Sequence, residues 1–442
     1  MKMIVVVMMF LALLSSSFIG FFEAFVNLDT AVLGKSRIID NGGSSTRDSE
    51  NVYSRQGMMN DRISERTSFS GTPLSNLVYV FWGENVEFQI NSEIMYKRAG
   101  GLFDEGTDII SDSPSFSNFP STAVSKNQIH LVWQDDSKIL YKKSSDGGAT
   151  FGPASRLDVG NEGSSRPKVA ISENNVFVIW HERRSPQIVT SEIFFRMSTD
   201  GGATFGPIRN LSNSDCEVSH CKDSLGGSIV ALKKNVYVIW GEDNLDKDEI
   251  LYRMSTDGGV TFGLVRNLSG DERNVQFPSI SVAGRNVYVA WSNFVSNNNW
   301  EIFYRMSTDG GVTFGPVRNL SNSDNFSYGP VIFAVGKNVY ITWEEEVSST
   351  SEVYFRSSVN GGHSFGSTKN LSNSPGYSCC IALAAIEGSV YVAWADASTL
   401  NYELMFIRSD NQGADFGASS NLSKNKDGAS FTPTIAVSKN IA

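Results

Sequence analysis

Ser255-Thr-Asp-Gly-Gly-Val-Thr-Phe262 decides how this chain is read, because it recurs. Near-copies occupy 144–151, 198–205, 307–314, 358–365 and 409–416, and four of the six share the full pattern Ser-x-Asp-Gly-Gly-x-Thr-Phe. One supersecondary unit copied at this fidelity predicts a repeat architecture. The turn has a local logic. Gly258 and Gly259 can take positive φ without a Cβ penalty, and Ser255 and Asp257 offer short oxygen acceptors to the exposed N–H groups of a tight hairpin. Phe262 can tuck beneath as an apolar anchor. The positions equivalent to Asp257 are Asp146, Asp200, Asp309, Asn360 and Asn411.

Upstream of the boxes a second landmark recurs, a β-rich run ending in Trp, at Trp82, Trp133, Trp180, Trp240, Trp291, Trp343 and Trp394. Successive landmarks lie 47–60 residues apart, a spacing expected of propeller blades, so seven landmarks predict seven units. Within residues 278–321 four strands are read, over 279–282, 286–291, 301–307 and 314–320. The second is apolar throughout, as in a strand buried on both faces, and the third alternates.

The first unit is incomplete. Pro120, Pro167, Pro278 and Pro330 each stand thirteen residues before their Trp and open an apolar strand, but before Trp82 that position is Phe69, in poor strand material. The missing piece lies at the other end, where Pro433-Thr-Ile-Ala-Val-Ser-Lys-Asn440 copies Pro120-Ser-Thr-Ala-Val-Ser-Lys-Asn127. The expected fold is therefore all-β: a seven-bladed β-propeller of four-stranded antiparallel blades, closed by the C-terminal strand pairing into the first blade. An open stack, or six blades plus a stray unit, is the alternative.

The recurring turn resembles the Asp box, or BNR repeat, of sialidase-like β-propellers, and the likeness spans roughly residues 77–438. It implies that the box is a structural hairpin lock away from the active face. Architecture is what the resemblance supports; about catalysis the boxes themselves are nearly silent.

Lys2 followed by the apolar run 3–14, three serines and a second apolar patch at 18–22 reads as an export signal, or as an uncleaved anchor, because the whole stretch is twenty residues long. Residues 1–26 are thus assigned to a signal peptide or N-terminal membrane anchor, 27–66 to a flexible polar linker, and 67–442 to the propeller. The expected location is extracellular or at the cell surface. A net charge of −10 argues against nucleic acid, which needs a basic footprint. The expected state is a monomer whose partner is a glycan or a cell-surface protein.

Four cysteines suit an oxidising compartment without requiring it. Cys216 and Cys221 share one inserted loop and can close a local disulfide or remain thiols. Cys379 and Cys380 are adjacent; a bond between them is strained, and unpaired thiols or links to another partner are equally open. No cofactor is required, although the loop 243–249 concentrates oxygen ligands, with Asp243, Asp246 and Asp248 as candidate Ca²⁺ ligands. It lacks the glycine and spacing of an EF-hand. The sequons at Asn210, Asn267, Asn319, Asn370 and Asn421 repeat one Asn-Leu-Ser slot and are read as structural; that at Asn325 stands apart.

Loops entering the inner strand and following the second strand share one face of such a propeller, opposite the boxes, and ligands normally meet it at the channel mouth. Two positions beyond each Trp lie Glu84, Asp135, Glu182, Glu242, Asn293, Glu345 and Asp396, which either form a negative ligand face or cap the backbone. His181, beside Glu182, is the most plausible functional histidine. Glutamates opening the third strand carry a basic residue four positions on, as in Glu192 and Arg196, and are read as structural pairs across blades.

The family resemblance implies, for a sialidase, three arginines clamping a carboxylate, a Tyr nucleophile with its Glu, and an Asp acid/base. The inner-strand cores read here contain no arginine. Arg166 precedes Pro167, and Arg183, Arg184 or Arg273 could reach the mouth from loops, with Tyr328 or Tyr377 near Glu345 as nucleophile. No nucleophile elbow, HExxH or phosphate loop is present. The sequence thus favours an exported, non-catalytic propeller binding a glycan, surface protein or cation through its acidic face, with a sialidase-like glycoside hydrolase (exo-α-sialidase type) as the rival and an envelope component as a third reading.

Overall fold

A computed structural model describes residues 76–439, apart from 86–90, 100–105, 160–162, 186–187, 214–215, 218–219, 222, 244–247, 273, 296–298, 400 and 426–427. The assigned signal or anchor and linker therefore lie outside the described residues. The chain divides into the units Met1–Ser64 and Glu65–Ala442, and the second of them holds every described residue.

Seven four-stranded antiparallel sheets make up a seven-bladed propeller, and no helix occurs among the described residues. In the second blade the order from the channel outward is Ser117–Ser125, Gln128–Asp135, Lys138–Ser144 and Ser155–Arg156. The first blade differs as expected. Its innermost strand is the C-terminal Ser430–Lys439, set against Asn76–Asn85 with Val80 opposite Ile435 and Tyr79 opposite Ala436. Ser430–Lys439 also contacts the innermost strands on both sides, Ser378–Ile386 and Ser117–Ser125, so the ring is closed by its own tail.

The core is a set of seven slabs between blades, each holding one landmark Trp packed toward the preceding blade. Trp291 of the fifth blade, for example, lies with Tyr237, Ile239 and Tyr252 of the fourth. The second strands earn their apolar runs: Val287, Tyr288, Val289, Ala290 and Trp291 are all fully buried. An aromatic side chain removes roughly 150–250 Å² from water, so a Trp in every slab supplies much of the adhesion between blades.

All four strands read within residues 278–321 shift in extent: the first runs Val275–Ala283 and the third Asn299–Ser307. The second strands continue past the Trp, to Val295 in the fifth blade, and its outermost strand is only Arg318–Asn319.

The boxes bond as their chemistry predicts. Ser255 Oγ accepts the Gly259 N–H and donates to Asp257, while Asp257 accepts both the backbone N–H and the hydroxyl of Thr261. Those hydrogen bonds, led by the Thr261 hydroxyl, lower the Asp257 carboxyl to about 2. Asn360 fits the same place because its amide donates to Ser364 Oγ while its carbonyl accepts the Ser364 N–H. The box also receives bonds from the preceding blade. Tyr237, Tyr252 and Tyr304 donate to the carbonyls of Gly310, Gly311 and Gly362, and Arg266 stacks on Tyr252 while reaching Val312 O.

The proposed Glu–basic pairing of the third strands is corrected. The arginines cross to the preceding blade, but they seek carbonyls: Arg196 donates to Gly206 O at 2.6 Å and to Leu157 O at 2.6 Å, and Arg253, Arg305 and Arg356 repeat this. The glutamates Glu192, Glu301, Glu352 and Glu403 take the Ser hydroxyl of the Asn-Leu-Ser slot instead. The slot's Asn side chain accepts the N–H three residues on, as Asn210 does from Asn213, which explains why it repeats.

Candidate functional site at the channel mouth

Every innermost strand begins at the face opposite the boxes, and every one is bulged two or three residues in. At the bulge one residue is left-handed: Phe119 (φ 50°), Arg166 (49°), Gly226 (62°), Phe277 (53°), Gly329 (63°), Cys380 (62°) and Thr432 (47°). A bulge with a left-handed first residue is ordinary glycine territory, and a bulky side chain there costs of order 1–3 kcal/mol. Five blades carry that cost.

In four blades the residue after the Trp (Gln134, His181, Ser292 or Glu344) reaches across to the next bulge; in the other three it is Gly83, Gly241 or Ala395. Gln134 Oε1 accepts the Arg166 N–H at 3.2 Å, Ser292 Oγ the Gly329 N–H at 3.0 Å, and Glu344 Oε1 the Cys380 N–H at 2.7 Å. At the seam between first and second blades, Thr432 Oγ1 donates to Asn118 Oδ1 at 2.7 Å.

The residues two beyond the Trp lie elsewhere. Glu84, Asp135, Glu242, Asn293, Glu345 and Asp396 are buried, and Glu182 is half-buried. They share the face of the strand occupied by the Trp, because side chains alternate with period two. Glu84, Glu182 and Glu345 accept the indole N–H of Trp82, Trp180 and Trp343 at 2.7–2.9 Å, and Glu242 and Asp396 do the same at 3.4–3.5 Å. Asp135 instead accepts from Ser117 Oγ at 2.8 Å, and Asn293 donates to Glu272. The acidic ligand face is thereby corrected: in five blades these groups hold the Trp, and Glu84, Asp135, Glu345 and Asp396 also accept from the serine at the start of the inner strand.

His181 is also a fastener. Its Nε2 accepts the Gly227 N–H at 3.2 Å, so its Nδ1 carries the proton and donates to Ser224 O at 2.9 Å. Burial first, then the charges of Arg166 and Lys168, hold its pKa down at about 3. It is neutral at every ordinary pH. His130, bonded through Nδ1 to Tyr141 Oη at 2.8 Å, is lowered by burial to about 4.

What the structure does gather at the mouth is a group that straddles the sixth and seventh blades. Tyr328 Oη and Tyr377 Oη are 3.1 Å apart, and burial raises both phenols, with the Glu344 charge adding to it. Glu344, not the anticipated Glu345, is their carboxylate; burial lifts it to about 7, against the pull of its bond from Cys380 N. Tyr402 is raised by burial and by the neighbouring Cys379, Cys380 and Glu344. In the third blade Arg166 lies over the Phe119 ring at 5.5 Å, and Lys168 stands in the lumen, where enclosure by the walls and the Arg166 charge lower its pKa. Phe277 is 37% exposed.

Of the remaining candidates, Arg273 and Asp246 lie outside the described residues, as do the side chains of Arg184, Cys216 and Cys221. Backbone register places Cys216 opposite Cys221 in a two-stranded ribbon. Asp243 and Asp248 share a hydrogen bond, and burial with the Asp243 charge raises Asp248. No group of three potential metal ligands occurs among the described residues. The tyrosine–Glu344 group is half legible in the sequence, which singles out Tyr328 and Tyr377. The signal for Glu344 is strand parity: one step past the Trp faces the next blade.

No protein-family model matches the chain, and no curated protein does. Among solved structures it is similar to an ulvan lyase of a polysaccharide lyase family, at 9% identity over 68% of this chain and 82% of that one, with a TM-score of 0.50. It is also similar to a Hadza microbial sialidase (13% identity, 71% and 72% covered, TM-score 0.45) and to a mutant of Trypanosoma rangeli sialidase (13%, 74% and 58%, TM-score 0.47). At such identities the likeness is one of fold alone.

Proposed function

We propose that this is an exported propeller that binds a glycan at its channel mouth without cleaving it. One observation carries the reading. Gly226 and Gly329 show that the bulge can be made without strain, yet Phe119, Arg166, Phe277, Cys380 and Thr432 hold side chains in the same left-handed place. Thr432 bonds across its seam to Asn118 and Arg166 lies over Phe119, while Phe277 stays exposed, and strained positions collect where a surface must recognise something. The group they surround suits a sugar: aromatic faces at Phe119 and Phe277 for its C–H surface, phenols and a carboxyl at Tyr328, Tyr377 and Glu344 for its hydroxyls.

A sialidase-like glycoside hydrolase is the second reading, and Glu344 favours it, since a carboxyl near neutrality beside two tyrosines suits proton transfer. Against it stands the supply of cations. The innermost strands hold one arginine, Arg166, and the residues following the seven Trp hold none. A bidentate clamp of three guanidinium groups would have to come from loops.

Glycan-array binding and hydrolysis of a fluorogenic sialoside, measured on wild type and on Phe277→Ala and Arg166→Ala, separate the two. The expected result is binding weakened by about tenfold in Phe277→Ala, with no turnover by any form. Turnover that vanishes in Arg166→Ala overturns the binding-only reading; failure of wild type to bind any glycan overturns the ligand class.

A further inference from the structure

In a regular strand two successive side chains point to opposite faces, so adjacent cysteines cannot meet. The bulge of the seventh blade breaks that rule. Cys380 is its left-handed residue, which swings the side chain back toward Cys379, and the two sulfurs stand 2.9 Å apart, closer than unbonded sulfurs pack. They are free thiols in this structure. The other blades place Asn118-Phe119, Ser165-Arg166, Leu225-Gly226, Gln276-Phe277, Tyr328-Gly329 and Phe431-Thr432 at the same site. Ile381 also replaces the proline that follows the bulge in five of the seven blades.

We propose that Cys379 and Cys380 are the site of a vicinal disulfide, formed by exchange with a disulfide oxidant such as oxidised glutathione or an exchange protein of the exported compartment. The proposal rests on the export part of the reading above, and on the geometry alone for the bond itself. One thiol loses its proton to solvent and its thiolate attacks the oxidant's disulfide, expelling one thiolate and leaving a mixed disulfide. The second thiolate then attacks the protein sulfur of that mixed disulfide, forming the Cys379–Cys380 bond and expelling the other. Two protein thiols are oxidised and one oxidant disulfide is reduced to two thiols.

The surroundings favour a lasting bond over a switch. The Cys380 N–H is held by Glu344, so the bulge that juxtaposes the sulfurs is pinned from the neighbouring blade. The Cys380 sulfur, burial and the Glu344 charge all disfavour a thiolate on Cys379. A thiol that ionises poorly is a poor leaving group, so reductive opening that expels Cys379 is slow. The closed ring fixes the wall that carries Glu344 and the tyrosine pair.

The full chain, made through a secretory route and purified without reductant, is denatured in an alkylating agent and mapped by mass spectrometry. Carrying Cys216→Ser and Cys221→Ser removes the other pair from exchange. The expected peptide containing 379 and 380 is unalkylated and two hydrogens lighter than the dithiol, and takes two alkyl groups only after reduction. In parallel, reduced protein is exposed to oxidised glutathione, with near-complete conversion to the same species expected. Stable glutathione adducts, cross-linked chains or persistent thiols in that arm overturn the proposal. Thiols in the secreted sample with closure by glutathione support the bond and count against the export reading.

Discussion

His181 Nε2 accepts the backbone N–H of Gly227 at 3.2 Å, joining the second strand of the third blade to the bulge of the fourth. The same ring donates to Ser224 O, so one neutral imidazole satisfies both a buried donor and a buried acceptor of the next inner strand.

Replacing that ring should be costly. His181→Phe keeps the bulk and leaves the Gly227 N–H and the Ser224 carbonyl without their imidazole partner, a loss of about 2 kcal/mol by urea denaturation. The pH dependence has a definite sign. In the fold the imidazole resists protonation to about 3, whereas the unfolded ring takes a proton near 6.5. Its contribution is therefore complete above pH 6.5 and is lost as pH falls toward 3, with a slope of up to about 1.4 kcal/mol per pH unit. His181→Phe should flatten that part of the stability profile; an unchanged slope would assign the acid sensitivity elsewhere.

Glu344 acts with the opposite sign. Its folded pKa of about 7 lies above the ordinary 4.5, so its contribution is complete below pH 4.5 and declines as pH rises through 7. Glu344→Gln, which copies the protonated form, should remove the decline between pH 5 and 7.5 in thermal melts. Persistence of the decline would mean that the carboxyl ionises freely at the mouth.

Much of this is open to the sequence and part is not. Ring closure follows from the near-identity of 433–440 with 120–127, and the pairing of Val80 with Ile435 bears it out. The acids two beyond each Trp mislead because the apolar run stops at the Trp while the strand does not. The strand runs on to Asn85 or Asp135, so parity assigns Glu84 to the indole and the residue before it to the mouth. The left-handed bulges are marked only by the proline that follows five of them, which does not reveal their φ. Phe119, Arg166, Phe277, Cys380 and Thr432 share no chemistry, and their φ is imposed by the ring rather than by their own preference.

The boxes give a graded test. Asp257→Asn should be tolerated, because Asn360 fills the equivalent place with an amide that donates to Ser364. Asp257→Ala deletes the acceptor of the Thr261 N–H and hydroxyl and should lower Tm clearly more than the Asn variant. Equal Tm values for the two would show that the carboxylate's bonds are replaced by water at no cost.

Closure has its own probe. Ile435 is 8% exposed, between the first blade's inner pair and the seventh blade. Ile435→Asp buries an unpaired charge there and should destabilise by about 3 kcal/mol or more, with heightened proteolysis of the C-terminal strand. A variant as protease-resistant as wild type would mean that the tail does not hold the ring.

Asn76 sits directly opposite Lys439, so the two ends of the toroid emerge side by side, on the rim opposite the mouth. Because the first blade is already assembled from both ends of the chain, a short linker from 439 to 76 with new termini cut into a loop between blades would yield the same body with a permuted order. Nothing attached to either end of that body has to pass the aperture through which a ligand would arrive.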